Sequence, residues 1–224
     1  VFHGSRLVNT DMSGLDLSLL DLSNAVLDRS NMRSALLDRA DLNGASLRAA
    51  DLTGVIGPDV DLAGADLTDL GAPQARLRNG NLTNATLLDA DLTDADLVGI
   101  RLANADLTRA RLDRSVLSDA SASGARFHGA SLRYVTMTNA SLRGVDFSYS
   151  DLSEANLSGS DLTGANLTGA TFEGAQFPGV ILSQTTISGV DLSGLLLHGA
   201  VLREVSVSDS DMSGTVLSAS DLSG

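Results

Sequence analysis

The sequence has no cysteine, no tryptophan and no lysine, and all fifteen of its basic residues are arginine. Without cysteine there are no disulfides, no thiolate catalysis and no thiolate metal site, and the redox compartment is left open. Aromatic residues make up only 3% of the 224 residues while hydrophobic residues reach 43%, so aliphatic side chains rather than rings must fill the interior. No apolar run approaches the roughly 18 to 20 residues that span a bilayer. The start, Val1-Phe2-His3-Gly4-Ser5, shows neither an initiator Met nor a signal-peptide pattern. The formal charge is −13, from 28 acids against 15 bases. With no lysine-rich run, that balance argues against direct binding of nucleic acid or of an anionic membrane. The chain is expected to be soluble and cytoplasmic, with a trimmed start.

What is present is a period of five, sought first because a missed repeat misassigns the whole fold. Of the 45 positions whose number leaves remainder 2 on division by five, 42 hold Leu, Met, Phe, Ile or Val, and all five Phe and all four Met fall among them. The 44 positions two residues earlier never carry a charge, and 21 of them are Ala. Asp or Asn often stands between these two sites, as in Ala40-Asp41-Leu42 and Ala165-Asn166-Leu167. Glycine favours the slot two after the Leu, which holds 19 of the 22, as suits a corner needing positive φ or close backbone approach. The period matches neither a helix nor a simple strand, and glycine at this density would cost a helix roughly 1 kcal/mol each.

The run of A-(D/N)-L-x-x units, with good copies at Ala65-Asp66-Leu67-Thr68-Asp69 and Ala155-Asn156-Leu157-Ser158-Gly159, resembles the pentapeptide-repeat family over essentially the whole chain. That resemblance implies an all-β fold, a right-handed quadrilateral parallel β-helix. Each pentapeptide forms one side, four make a coil of 20 residues, and the Leu and the small residue point inward. Residues 1–224 then form a single solenoid of about 11 coils, on the order of 53 Å long at the spacing of stacked strands. Stability is expected to be nearly one-dimensional, dominated by the inward Leu columns.

Three central positions depart from the pattern, Gly57, Ala72 and Ala122, and the first two precede Pro58 and Pro73. The phase is kept on both sides. The expectation is a local wrinkle, in which Ile56 turns inward in place of Gly57 and proline removes a hydrogen bond and bends the chain. Neither end shows a cap, although open coil ends need one. Either the chain is a segment of a longer protein, or an end is buried in a homodimer or another partner.

A 20-residue coil predicts columns of outward side chains. Asp21, Asp41 and Asp61 form one acidic ladder that continues as Asn81 and Arg101, and Asp11, Asn31 and Asp51 start another. Asp and Asn there serve either the local backbone or a partner that reads negative charge. The gyrase-protecting branch of the family, the Qnr-type and mycobacterial-type quinolone-resistance proteins, is understood to mimic duplex DNA, and acidity and rod shape fit that branch. Seven arginines between residues 101 and 143 argue against a uniformly DNA-like rod. Stacked apolar pairs, Ile181 with Val201 and Leu196 with Val216, are a candidate interface, and Leu36 and Ile56 stack earlier in the Leu196 column. His3, His128 and His198 lie on separate coils, so neither metal nor cofactor is expected. Ser and Thr have no His-supported nucleophile, and sequons such as Asn81-Leu82-Thr83 are by-products of the repeat. The expected function is a non-enzymatic interaction rod for a protein partner, with a DNA-mimicking DNA gyrase binder as the alternative.

Overall fold

A computed structural model describes residues 2–223. One residue of each pentapeptide pairs in parallel with the residue 20 further on, so that Asp21, Asp41, Asp61, Asn81 and Arg101 follow one another in a single column. Twenty residues therefore close one circuit and five make one side. Side one is centred on Leu22, Leu42 and their successors, side two on Leu27 and Leu47, side three on Met32 and Leu52, and side four on Leu37 and Leu77. Pairing is mostly one residue wide. It lengthens into two parallel strands only at β1 (Thr186–Ser188) and β2 (Ser206–Ser208), in the register Thr186 to Ser206.

Most corners are tight turns closed from residue i+3 to the central residue i, as when the Ala25 amide donates to the Leu22 carbonyl at 3.0 Å. The residue at i+2 has φ between about 50° and 71°, the mark of a type II turn. Glycine fits there as expected, and at Gly99 it is also needed for space, since a Cβ would lie 2.5 Å from Asn79 Oδ1 of the preceding coil. Yet Leu19, Arg39, Tyr149 and many Asn and Asp residues hold the same conformation. An L-residue there gives up roughly 1–2 kcal/mol. The ladder holds it in place, because the amide at that corner donates to the next coil, as Asn24 does to Asn43 at 2.8 Å.

The two inward sites of every pentapeptide are buried from Leu22 to Leu202. Phe2 and Leu222 keep the register but are 42% and 59% exposed in the end coils. At Ser115 and Ser150 a serine takes the small site and its hydroxyl donates to the carbonyl three residues back at 2.6 Å, which removes the penalty of a buried polar group, whereas the hydroxyl of Ser30, buried in the same kind of site, has no partner.

Two expectations about the defects are corrected. Ile56 does not turn inward; it is 37% exposed, in the outward column between Leu36 and Arg76. The Gly57 amide keeps its ladder bond to the Arg76 carbonyl at 2.9 Å, and Leu37 and Leu77 close over the missing side chain, so that a Cβ would lie 2.9 Å from Leu37 Cβ and 3.4 Å from Leu77 Cδ2. Nor does proline break the ladder. Pro58, Pro73 and Pro178 all occupy the second turn position, where proline is favoured and where the amide points away from neighbouring coils. Their carbonyls still accept from Arg39, Gly54 and Gly159 at 2.9–3.0 Å. Ala72 and Ala122 stay buried and bonded to the next coil.

Candidate interaction surface

The outward columns start from the Asp before each Leu. Its Oδ1 accepts the amide two residues on, and often that residue's hydroxyl as well: Ser23 donates both to Asp21 at 3.1 and 2.5 Å, and Thr53 both to Asp51 at 2.9 and 2.6 Å. This bond satisfies the one turn amide that the ladder leaves out. Asp41 takes the Asn43 amide and Asp61 the Ala63 amide, each at 3.0 Å. Stacked Asn relieves the column: Asn31 donates to Asp11, and Asn81 to Asp61, at 2.9–3.0 Å. The Ser13 amide holds the Asp11 carboxyl below the usual carboxylate range, and the Ser23 hydroxyl does the same at Asp21. At Asp51 partial burial pulls upward but is outweighed by Thr53 and Arg33. The ladder acids are thus built into the turns through one oxygen and present the other outward.

Most paired arginines follow two patterns that the sequence did not reveal, while Arg111 and Arg126 reach the acid one coil back from the ladder position itself and Arg39 pairs with the adjacent Asp38. From the second turn position an arginine reaches the Asp 18 residues on, as in Arg33–Asp51, Arg48–Asp66, Arg143–Asp161 and Arg203–Asp221 at 2.5–3.0 Å. From a corner it stacks on the acid 20 residues back, with two-pronged pairs in Arg109–Asp89 and Arg114–Asp94. Exposed pairs of this kind contribute at most about 1 kcal/mol, but they neutralise much of the middle band. Charge then divides unevenly. Side three carries ten acids against four arginines, nearly half of the net −13, and its last coils hold Asp151, Glu154, Glu173, Asp191 and Asp211 with Arg133 alone.

The apolar candidates occupy adjoining sides. Ile181 pairs with Val201 on side one, both half-buried, and Leu196 with Val216 on side four, 57% and 41% exposed. Each histidine bonds a serine on the next coil, His3 to Ser23, His128 to Ser148 and His198 to Ser218, and among the described residues no cluster could hold a metal ion.

The feature that sequence reasoning missed lies between residues 171–177 and 190–196, on sides three and four. Elsewhere in this pattern each side bonds to the next coil through three amides. Here the amides of Phe172, Gly174, Phe177, Asp191 and Leu196 make no backbone hydrogen bond, and the Thr171–Asp191 and Gln176–Leu196 pairings are absent. The coils part there, within a surface groove of about 1110 Å³ that runs along side three from Arg133 and Glu154 to Thr171–Gln176 and on to Gly189 and Leu196. Bulky inward side chains coincide with the opening. Phe172 and Phe177 lie edge to face, 5.3 Å apart, on neighbouring sides of one coil, and the next coil places Val190 and Leu195 at sites usually held by Ala. By contrast Phe127 and Phe147 stack at 5.0 Å in one column, with Ala125 and Ala130 beside the first ring, and the ladder there is intact. Overpacking costs about 1–3 kcal/mol. Five solvated bonds lost at roughly 0.5 kcal/mol each is a similar sum, so opening and closing are close to balance.

The pentapeptide-repeats family model matches residues 1–33, 16–54, 35–69, 74–109, 110–148, 146–184 and 181–218. The chain belongs to the pentapeptide-repeat family. Among solved pentapeptide-repeat structures it is similar to HetL, a protein involved in heterocyst differentiation regulation in the cyanobacterium Nostoc sp. strain PCC 7120, at 27% identity over 96% of this chain and 87% of that one, with a TM-score of 0.47. It is also similar to a trypsin-treated form of QnrB1, a plasmid-mediated fluoroquinolone resistance protein, at 18% identity over 90% and 88% of the two chains, with a TM-score of 0.54. Membership makes the four-sided coil a right-handed β-helix. No curated protein matches the sequence.

Proposed function

We propose that this pentapeptide-repeat protein is a non-enzymatic rigid rod that binds a protein partner through one or two of its sides. The observation that carries this reading is the asymmetry of side three: a main-chain ladder fixes outward side chains in columns, and one side concentrates ten of the 28 acids. Fixed columns of like charge are a surface that a complementary partner reads without ordering the rod first. The test is photo-cross-linking from single outward positions on the four sides, Ser141, Asp146, Ser131 and Thr136. Adducts confined to one or two sides support the reading; adducts from all sides equally, or from none, overturn it.

The acid excess of side three also favours a second reading, a DNA-mimicking binder of DNA gyrase that protects against quinolones or a toxin. A duplex carries one charge per roughly 1.7 Å, and the unpaired carboxylates of side three are this chain's nearest approach to such a row. Inhibition of gyrase supercoiling by purified protein supports it. No effect at micromolar concentration removes it.

A further inference from the structure

We propose that the groove between residues 171–177 and 190–196 is a docking site for an extended basic peptide, which pairs with the open backbone edge as an added strand. Three observations converge there. Both walls present unpaired backbone groups that follow the coil round its corner at Gly174: the amides of Phe172, Gly174 and Phe177 on one, and on the other the amides of Asp191 and Leu196 with the facing carbonyls of Asp191, Ser193 and Leu196. Such an edge is what a peptide uses when it adds a strand, with main-chain bonds giving affinity and alternate side chains giving specificity.

The rim selects the charge. Glu154, Glu173 and Asp191 line the groove without an ion-pair partner, and Arg133, the one cation there, is given to Asp151 at 3.9 Å. Gly174 leaves room for the Glu154 carboxyl to lie against the wall, since a Cβ would come within 2.8 Å of it. Lysine or arginine at alternate positions of the peptide would meet these carboxylates.

The floor selects what alternates with them. Phe172, Ala175 and Leu195 are buried at the base of the groove, directly over the interior, so small or branched apolar side chains suit the inward positions. The volume of about 1110 Å³ lies just above that of ligand-sized clefts, roughly 300–1,000 Å³. The proposal deepens the interaction-rod reading and rests on it, but the two fail separately: a partner held on another side would still cross-link to the rod while the peptide stayed unbound.

The test uses a fluorescent octapeptide alternating Lys and Val, with a Glu–Val version and a backbone N-methylated Lys–Val version as controls. Fluorescence anisotropy is expected to show saturable binding of the Lys–Val peptide only. At saturation the amides of Phe172, Gly174, Phe177, Asp191 and Leu196 should exchange with solvent at least tenfold more slowly. Glu173→Lys combined with Asp191→Lys should weaken binding at least tenfold. Leu195→Ala, which relieves the crowding and lets the coils close, should do the same. Binding of the N-methylated or Glu–Val peptide within twofold of the Lys–Val peptide overturns the proposal, as does unchanged exchange at the five amides. Should Leu195→Ala fail to fold, the N-methylated peptide and the exchange data still decide. If the five amides are already slow in the free protein and it sediments as a dimer, a second copy fills the groove and the peptide proposal is wrong.

Discussion

Replacing Leu92 by Asp places a carboxyl in the interior of a regular coil. Leu92 is 3% exposed and sits in the inward column of side three between Ala72 and Leu112. Removing the leucine side chain costs about 2–5 kcal/mol. The introduced carboxyl must also be neutralised; raising its pKa by about 3 units costs about 4 kcal/mol near pH 7. Together these are of the order of a whole domain's stability, about 5–15 kcal/mol. Because each coil touches only its neighbours, the loss should appear as local melting around the coil, with a broadened transition. The penalty should shrink as the pH falls and the carboxyl protonates in place. Asp91→Asn, one residue away and outward, loses only its 3.6 Å pair with Arg111 and should cost under about 1 kcal/mol. Thermal and urea unfolding of both variants at pH 7 and pH 5 makes the comparison. An unchanged Tm for Leu92→Asp, or equal damage from the two substitutions, would refute the inward placement.

Gly57→Ala should destabilise by about 1–3 kcal/mol in urea titration, because its Cβ meets Leu37 Cβ at 2.9 Å inside a closed column; a stabilising effect would mean that the gap over Gly57 is not closed by its neighbours. Leu19→Gly should change stability favourably by about 0.5 kcal/mol, since Leu19 is 67% exposed and held at φ 60°, and relief of roughly 1–2 kcal/mol is partly offset by a freer unfolded chain. Acid should weaken the fold below about pH 4. Hydrogen bonds to the ionised carboxyl lower Asp11 and Asp191 through the amides of Ser13 and Ser193, and lower Asp221 to about 2 through Ser223 and Arg203. Folded values below the ordinary aspartate value of about 3.9 give a contribution fully present above it and lost as the pH falls through them toward 2. Equal urea midpoints at pH 7 and pH 2.5 would contradict that sign.

The fold was legible because its rule acts on every residue. The inward pair and the corner glycines follow from one five-residue register, which Leu92, Ala95 and Gly99 display as clearly as any, while the 20-residue column step was implied by the resemblance to pentapeptide-repeat proteins. What the register does not encode was read less well. Ile56 was expected to fill for Gly57, because a sequence does not show that Leu37 and Leu77 can close over a gap from the coils on either side. The prolines were expected to bend the chain, because the register alone does not say which turn amide leaves the ladder. The groove was missed because it depends on the volumes of two successive coils taken together. Its only trace in the sequence is the pair Phe172 and Phe177 followed 18 residues later by Val190 and Leu195. The candidate acids were placed in their columns correctly, but their prior engagement with Ser13, Ser23 and Thr53 emerged only from the turn geometry.

The most direct measurement of the account is residue-resolved amide exchange of the free protein at neutral pH. The coil-to-coil ladder runs along the rod and opens on sides three and four between 171–177 and 190–196. The amides of Phe172, Gly174, Phe177, Asp191 and Leu196 should therefore exchange rapidly, while their counterparts one coil earlier, Leu152, Glu154, Leu157, Thr171 and Gln176, which bond to neighbouring coils at 2.7–3.0 Å, should be strongly protected. Uniform protection across both sets would contradict the open groove, and rapid exchange of both sets would contradict the ladder itself.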